Sequence, residues 1–181
     1  MRHVRVSDLD SWMGPADVKR PLGRELGTEG LALNYYELAP GESFAFGYHR
    51  HADQEEVFYV LSGAVAFETS ASADRESASS GANDREPSAE EPSETGREEV
   101  VVSAGEAVRF EPGEWQQGWN RGDERCVALA LGAPSDTGET TILRECADCG
   151  EATPQRIEAT DDRDALVTLC EDCGAETGRF D

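Results

Sequence analysis

The chain is poor in positive charge. Of its 16 basic residues only one, Lys19, is lysine, and 38 acidic residues give a formal net charge of -22 over 181 residues. Neutralising nucleic-acid phosphates takes a basic face, and the sequence offers none, so nucleic acid is not an expected partner. The acid is spread along nearly the whole chain instead of being blocked in a tail. That is the pattern of a solvated surface adapted to high salt, of the haloarchaeal kind, where carboxylates hold water and ions. Long apolar runs are missing as well. The longest, CVALALGA at 126–133, is far too short to span a bilayer. MRHVRVSDLD at the amino end has no apolar stretch of the kind a secretory leader carries. A cytoplasmic chain without a membrane partner is therefore expected. In that compartment the five cysteines read as metal ligands or buried thiols, not disulfides.

Residues 70–98 contain no Val, Ile, Leu, Met, Phe, Tyr or Trp. Such a segment cannot bury enough apolar surface to offset the entropy of ordering it. It reads as a disordered acidic insertion between two strands of one domain, because strand patterns resume after it.

What is present is a series of short β-rich runs separated by turn residues. Ser7 and Asp10 could cap one helical turn near the start. Strands are expected at 31–38, 43–51, 56–62, 65–69, 99–102, 106–110, 116–120 and 125–132, with turns at Pro40-Gly41, Gly63, Ala104-Gly105, Pro112-Gly113 and Gly122-Asp123. Many short strands with such regular turns predict a mainly β fold, a closed or two-sheet antiparallel structure.

Histidine occurs three times, and two of the three, His49 and His51, are two residues apart in GYHRHADQEEVFYVLSG. Alternate residues of a strand share a face, so both imidazoles project together and Arg50 points away. Glu56 opens the next strand and can reach the same place, while Glu55 becomes its exposed neighbour. Two imidazoles and a carboxylate from adjacent strands make a facial set suited to Fe(II), Mn(II), Ni(II), Cu(II) or Zn(II). The competing reading is a hydrogen-bonded pair inside a barrel. Packing alone seldom needs two histidines on one face beside a carboxylate, which favours metal. Tyr35, Tyr36, Tyr48, Phe58, Trp115 and Trp119 are candidates for cavity walls, or ordinary core.

The string His49-x-His51-x4-Glu56-x6-Gly63 resembles the first motif of the cupin superfamily of small β-barrels. In GEAVRFEPGEWQQGWN, Gly105, Gly113 and Asn120 keep the spacing of the second motif. Glu111 stands where that pattern has proline. Gln116 stands where the resemblance implies a fourth ligand, a histidine. The resemblance covers about residues 30–133 and implies a jelly-roll barrel with a metal inside, commonly in a homodimer. Glutamine offers a neutral amide oxygen, a weaker donor than imidazole. It can ligate weakly, hydrogen-bond a metal-bound water, or leave the position open for substrate or dioxygen.

The carboxyl end carries Cys146-x2-Cys149 and Cys170-x2-Cys173, each pair followed by glycine, with twenty residues between them. Each pair can wrap one side of a tetrahedral ion, and QRIEA and ALVTL look like a hairpin between them. The arrangement is similar to a zinc ribbon. Four thiolates supply folding energy that so small a piece cannot draw from its own core. Zn2+ is the expected ion, with rubredoxin-like iron and a dithiol redox pair as the alternatives. From Arg144 to Asp181 there are eleven acidic residues and four arginines, so this module should not bind DNA; a protein contact or a stapled terminus fits better. Cys126 lies in an apolar strand and reads as a buried small hydrophobe.

The expected organisation is a cupin barrel over 1–140, with the insertion at 70–98, and a zinc-ribbon-like module over 141–181. Two functions follow. One is a metal-dependent enzyme on a small polar molecule, of isomerase or dioxygenase type. The other is a non-catalytic protein that binds or senses a metal or small ligand and whose ribbon meets a protein partner.

Overall fold

The computed structural model describes residues 1–70 and 96–181. In chain order its elements are β1 (Val18–Arg20), α1 (Leu22–Leu26), β2 (Ala32–Leu38), β3 (Tyr48–His51), β4 (Glu55–Ser62), β5 (Ala64–Ser70), β6 (Arg97–Ser103), β7 (Ala107–Phe110), β8 (Gln116–Trp119), β9 (Cys126–Ala133), β10 (Thr140–Cys146), β11 (Glu151–Ala159), β12 (Leu166–Cys170) and β13 (Glu176–Phe180). A five-stranded sheet runs β1-β2-β9-β4-β7, and an eight-stranded sheet runs β13-β12-β11-β10-β3-β8-β5-β6. All pairings are antiparallel, as the turn pattern requires. The fold is thus mainly antiparallel β, as expected.

The two sheets enclose an aromatic core in which Phe44 lies 5.0 Å from Phe58 and 5.0 Å from Tyr36, and Phe67 lies 5.3 Å from Phe110, centroid to centroid. Room for these rings comes from β9. Its inward positions are Cys126, Ala128, Ala130 and Gly132, all small, while Val127, Leu129 and Leu131 face the other way. A large inward side chain there would overfill the interior.

Three expectations change. The helical turn near the start is a 3-10 turn at Val6–Asp8, with Arg5 at its cap and no side-chain capping bond. Its short length lets Arg5 and Val6 carbonyls satisfy the amides of Asp8 and Leu9 directly. The run 43–51 is a regular strand only from Tyr48. The chain bends before it, so that Phe44 enters the core and Phe46 meets Phe180 at 5.0 Å, edge to face. Strict alternation would have sent Phe44, Phe46 and Tyr48 to one face. The strands β1, β10 and β13 were not expected at all.

The expected insertion at 70–98 lies mostly outside the described residues. Its two ends do not: β5 and β6 pair with each other up to Ser70 opposite Arg97, so the segment leaves and re-enters the barrel at one point. The expected boundary near 140 falls at the start of β10. The first half of β10, Thr140 to Leu143, pairs with β3, and from Leu143 to Cys146 it pairs with β11. One strand therefore belongs to both parts.

Cys126 is 1% exposed, and burial pushes its thiol up to about 11. A raised value means that the folded chain holds this proton after the unfolded chain has lost it. The contribution is complete below the unfolded value, near 8.5, and is lost as the pH rises toward 11. Chemical unfolding at pH 8 and at pH 11 should therefore show a loss of stability that is smaller in Cys126→Ala by roughly 2–3 kcal/mol. An equal loss in both proteins would mean that this thiol ionises freely in the fold.

Candidate metal centres

Alternation on β3 sends His49 and His51 into the barrel and Tyr48 and Arg50 outward, where Tyr48 stacks on Trp115 at 5.4 Å and the Arg50 guanidinium lies 4.9 Å from the Trp115 centroid. Register then decides what the histidines meet. His49 is paired with Gln116 on β8, and His51 with Thr140 on β10. Glu56 arrives from across the barrel, on β4, together with Phe58 and Val60. The expectation that histidines and glutamate sit on adjacent strands is thus corrected: β3 and β4 lie in different sheets. Both neighbours of each strand are already taken, β8 and β10 for β3, β9 and β7 for β4. Residues 52–54 therefore carry the chain from one sheet to the other instead of closing a hairpin. Glu55 points outward and pairs with Arg109 at 2.7 Å.

One donor atom from each of His49, His51 and Glu56 lies within 4.8 Å of the others. The Glu56 Oε2 atom is 3.4 Å from His51 Nε2 and 3.7 Å from His49 Nε2. Burial works to push the Glu56 carboxyl up, but the two imidazoles, as hydrogen-bond donors and positive charges when protonated, outweigh it and hold it at about 2. The cluster therefore keeps an anionic centre. His49 Nδ1 lies 3.2 Å from the Gly47 carbonyl, which can only accept. Nδ1 thus donates, and in the neutral ring Nε2 turns its lone pair inward. His51 Nδ1 lies 2.9 Å from Thr140 Oγ1, the kind of outer partner that orients a ligating imidazole.

Gln116 reaches this cluster. Its amide nitrogen donates to Glu56 Oε2 at 2.6 Å and to His49 Nε2 at 3.1 Å, and its Oε1 atom is buried without a partner. An unpartnered buried carbonyl costs about 1–3 kcal/mol. A cation among the three donors would remove that cost, because half a turn of the amide brings Oε1 to it. The donor set and the orphaned oxygen both fit a divalent ion.

Beside the cluster lies a cavity of about 220 Å³. Of the six aromatic candidates, Tyr36 and Phe58 line it; Tyr35, Tyr48, Trp115 and Trp119 do not. Phe44, Ile142 on β10, Ile157 on β11 and Lys19 are among the other residues that line it. Sequence reasoning missed these four and Thr140. The one available signal was that Lys19 is the chain's sole lysine. Thr140 and Ile142 come to the site only through pairing some ninety residues distant in sequence, as in the 89-residue separation of His51 and Thr140, and Ile157 follows on β11, the other neighbour of β10.

The four tail cysteines also converge, all within 4.8 Å. Cys146 Sγ is 3.5 Å from Cys173 Sγ, and Cys149 Sγ is 3.8 Å from Cys170 Sγ. A tetrahedron with metal–sulfur bonds of about 2.3 Å has edges of about 3.8 Å, whereas a disulfide would need about 2.05 Å. The two knuckles repeat one geometry. Gly150 donates to the Cys146 carbonyl and Gly174 to that of Cys170, at 2.8 and 2.9 Å, and both glycines have φ of +79°, a region that favours glycine. The Thr153 hydroxyl, 3.1 Å from Cys170 Sγ, and the backbone amides of Cys173 and Asp172 pull Cys170 down to about 6 against its burial. Hydrogen bonding to Cys173 and Cys146 pushes Cys149 up. Cys126 takes no part and is buried in β9.

No family model matches the chain, and no curated protein matches it in sequence. Solved structures match its fold. A sugar phosphate isomerase from a cupin superfamily, from Silicibacter pomeroyi DSS-3, is 18% identical with a TM-score of 0.54, over 97% of this chain and 91% of that one. An uncharacterized conserved protein with a double-stranded beta-helix domain, from Klebsiella pneumoniae subsp. pneumoniae MGH 78578, is 15% identical with a TM-score of 0.53, over 78% of this chain and 90% of that one. Bacillus subtilis oxalate decarboxylase, described with Mn(II) centers, is 15% identical with a TM-score of 0.53, over 76% of this chain but only 31% of its own. Such likenesses concern architecture, and the architecture here is the cupin jelly roll. Among the described residues no helix is long and apolar enough to cross a membrane.

Replacing Thr140 by valine should keep the fold and remove the Oγ1 partner of His51. Long-range 1H–15N spectra of metal-free protein should then show the ring nitrogen signals of His51 shifted, with those of His49 unchanged. Affinity for an added divalent ion should fall about 10- to 100-fold. Unchanged spectra and affinity would mean that Thr140 does not orient His51.

Proposed function

We propose that the chain binds a divalent transition metal through His49, His51 and Glu56, with Gln116 facing the remaining side of the ion, and acts on a small polar molecule in the adjoining cavity. The observation that carries this reading is that three donors, from opposite sheets, converge beside a space that the aromatic side chains line but do not fill. Nitrogen and oxygen donors of this kind suit Fe, Mn, Ni, Cu or Zn. Such an ion supplies a Lewis acid for isomerase-type chemistry or, when redox-active, a place for dioxygen. Glu56 contributes the negative charge, Gly47 and Thr140 fix the imidazoles, and Phe44, Phe58 and Ile142 keep water from the walls. Two of the fold's neighbours carry the names sugar phosphate isomerase and oxalate decarboxylase, activities on small polar molecules, which supports the same substrate class.

For the tail the proposed ion is Zn2+, held by Cys146, Cys149, Cys170 and Cys173 in a ribbon over 141–181 that follows a barrel over 1–140. The high acid content is read as adaptation to salt, which sets the conditions for any assay. A second reading, a metal or ligand sensor whose ribbon meets a protein partner, is favoured by β10, which reaches from His51 to Cys146.

Elemental analysis of protein purified in high salt is the test. The parent should carry two ions per chain, one of them zinc. His49→Ala with His51→Ala should lose the barrel ion and keep the zinc. One zinc per chain in both proteins would remove the barrel site and leave the sensor reading without its metal form. Gln116→His should tighten the barrel ion, because imidazole is the stronger donor; unchanged affinity would place Gln116 outside the ion's reach.

A further inference from the structure

Lys19 carries the only ammonium side chain in a protein with 38 carboxylates. Among the described residues it forms no ion pair, while seven arginines each meet at least one carboxylate. Its position is held firmly. β1 lies at the edge of the five-stranded sheet with Lys19 opposite Tyr36. The N-terminal segment clamps β1 from outside: the Trp12 amide donates to the Lys19 carbonyl at 2.7 Å, and the Lys19 amide to Ser11 Oγ at 3.0 Å. The side chain lies over the Tyr36 ring, with Nζ 5.6 Å from its centroid, and lines the same cavity as His49, His51 and Glu56. Carboxylates are plentiful on this surface, so a lysine that meets none of the described ones and borders a cavity instead is placed to meet a group from outside.

We infer that Lys19 is the anion-recognising residue of the cavity, and that its ligand is a small organic acid. The ligand's carboxylate meets Lys19, and a second oxygen reaches the His49–His51–Glu56 end. This rests on the metal reading only for that second oxygen. Phe44, Phe58, Ala130 and Ile142 give the cavity apolar lining that suits a short carbon chain. At about 30 Å³ per water-sized group, the cavity of about 220 Å³ takes a ligand of about seven non-hydrogen atoms or fewer. Asn34, also in the lining, offers an amide to the same oxygens.

The test is a titration of the full-length protein with acetate, glycolate, lactate, pyruvate and malonate at constant ionic strength, followed by thermal unfolding and calorimetry. Acetamide, glycolamide and lactamide serve as neutral counterparts. At least one acid should raise the unfolding temperature while the amides do not. Lys19→Met, which keeps the stem over Tyr36, should bind that acid about 10- to 100-fold more weakly, and Lys19→Arg should retain most of the affinity. The inference is overturned if no acid binds, if an amide binds as well as its acid, or if Lys19→Met binds as tightly as the parent. Metal analysis of the same samples separates the two readings. Acid binding that ignores Lys19 in a protein with a barrel ion sinks this inference alone. Lys19-dependent binding in a protein without a barrel ion sinks the metal reading alone.

Discussion

Strand β10 is hydrogen-bonded along one half to β3 and along the other to β11, and much of the architecture follows from that double pairing. It puts Thr140 against His51, Ile142 in the cavity wall and Leu143 in a cluster with Tyr48 and Trp115. It also delivers Cys146 to the thiol cluster. A second tie runs beside it: Arg144 donates to the carbonyls of Phe46 and Thr177, and its guanidinium lies 5.5 Å from the Phe180 centroid. The cysteine-bearing part is therefore joined to the barrel by a continuous ladder and a side-chain clamp, with no free linker between them. Ile157, from β11, even forms part of the cavity.

Inside the barrel, volume and charge are arranged separately. Small residues on β9 make space, aromatic rings from the other strands fill most of it, and the remainder is the cavity. Among the described residues, Glu56 is the one carboxylate that lines the cavity; many of the others lie outside. There arginines gather the carboxylates in pairs: Arg109 meets Glu55 and Glu111, Arg121 meets Glu68 and Glu99, and Arg125 meets Asp17 and Glu37. These pairs are exposed and contribute little each. Glu68 and Glu99 lie directly opposite each other on β5 and β6, and an arginine held between two such carboxylates offsets the repulsion of like charges on neighbouring strands.

Much of this was legible in the amino-acid order because strand periodicity is local. The spacing of His49 and His51 fixes their common face, and the turn residues mark most of the barrel strands within a residue or two. The resemblance to the second cupin motif located Gln116, which does reach the cluster. What the sequence could not carry was register and sheet membership. Glu56 looked like a neighbour across a turn because it is four residues beyond Ala52, yet the competing partners of β3 and β4 put it in the opposite sheet. Thr140 carries no local mark at all and gains its place from a strand pairing made with distant residues; Lys19 is marked only by being the sole lysine, and its place comes from the pairing of β1 with β2.

The 89 residues between His51 and Thr140 have a consequence for biosynthesis. β3 has one neighbour, β8, more than sixty residues after it and the other, β10, later still. A growing chain therefore holds the histidines long before the strand that orients them has emerged. Contacts this distant also make folding slow. A nascent or prematurely terminated product lacking β10 would expose imidazoles without their outer hydrogen bond and an open sheet edge. Completion of the histidine pair's surroundings is thereby a late event on the ribosome relative to β3 itself, because His51 gains its outer partner only once β10 has emerged.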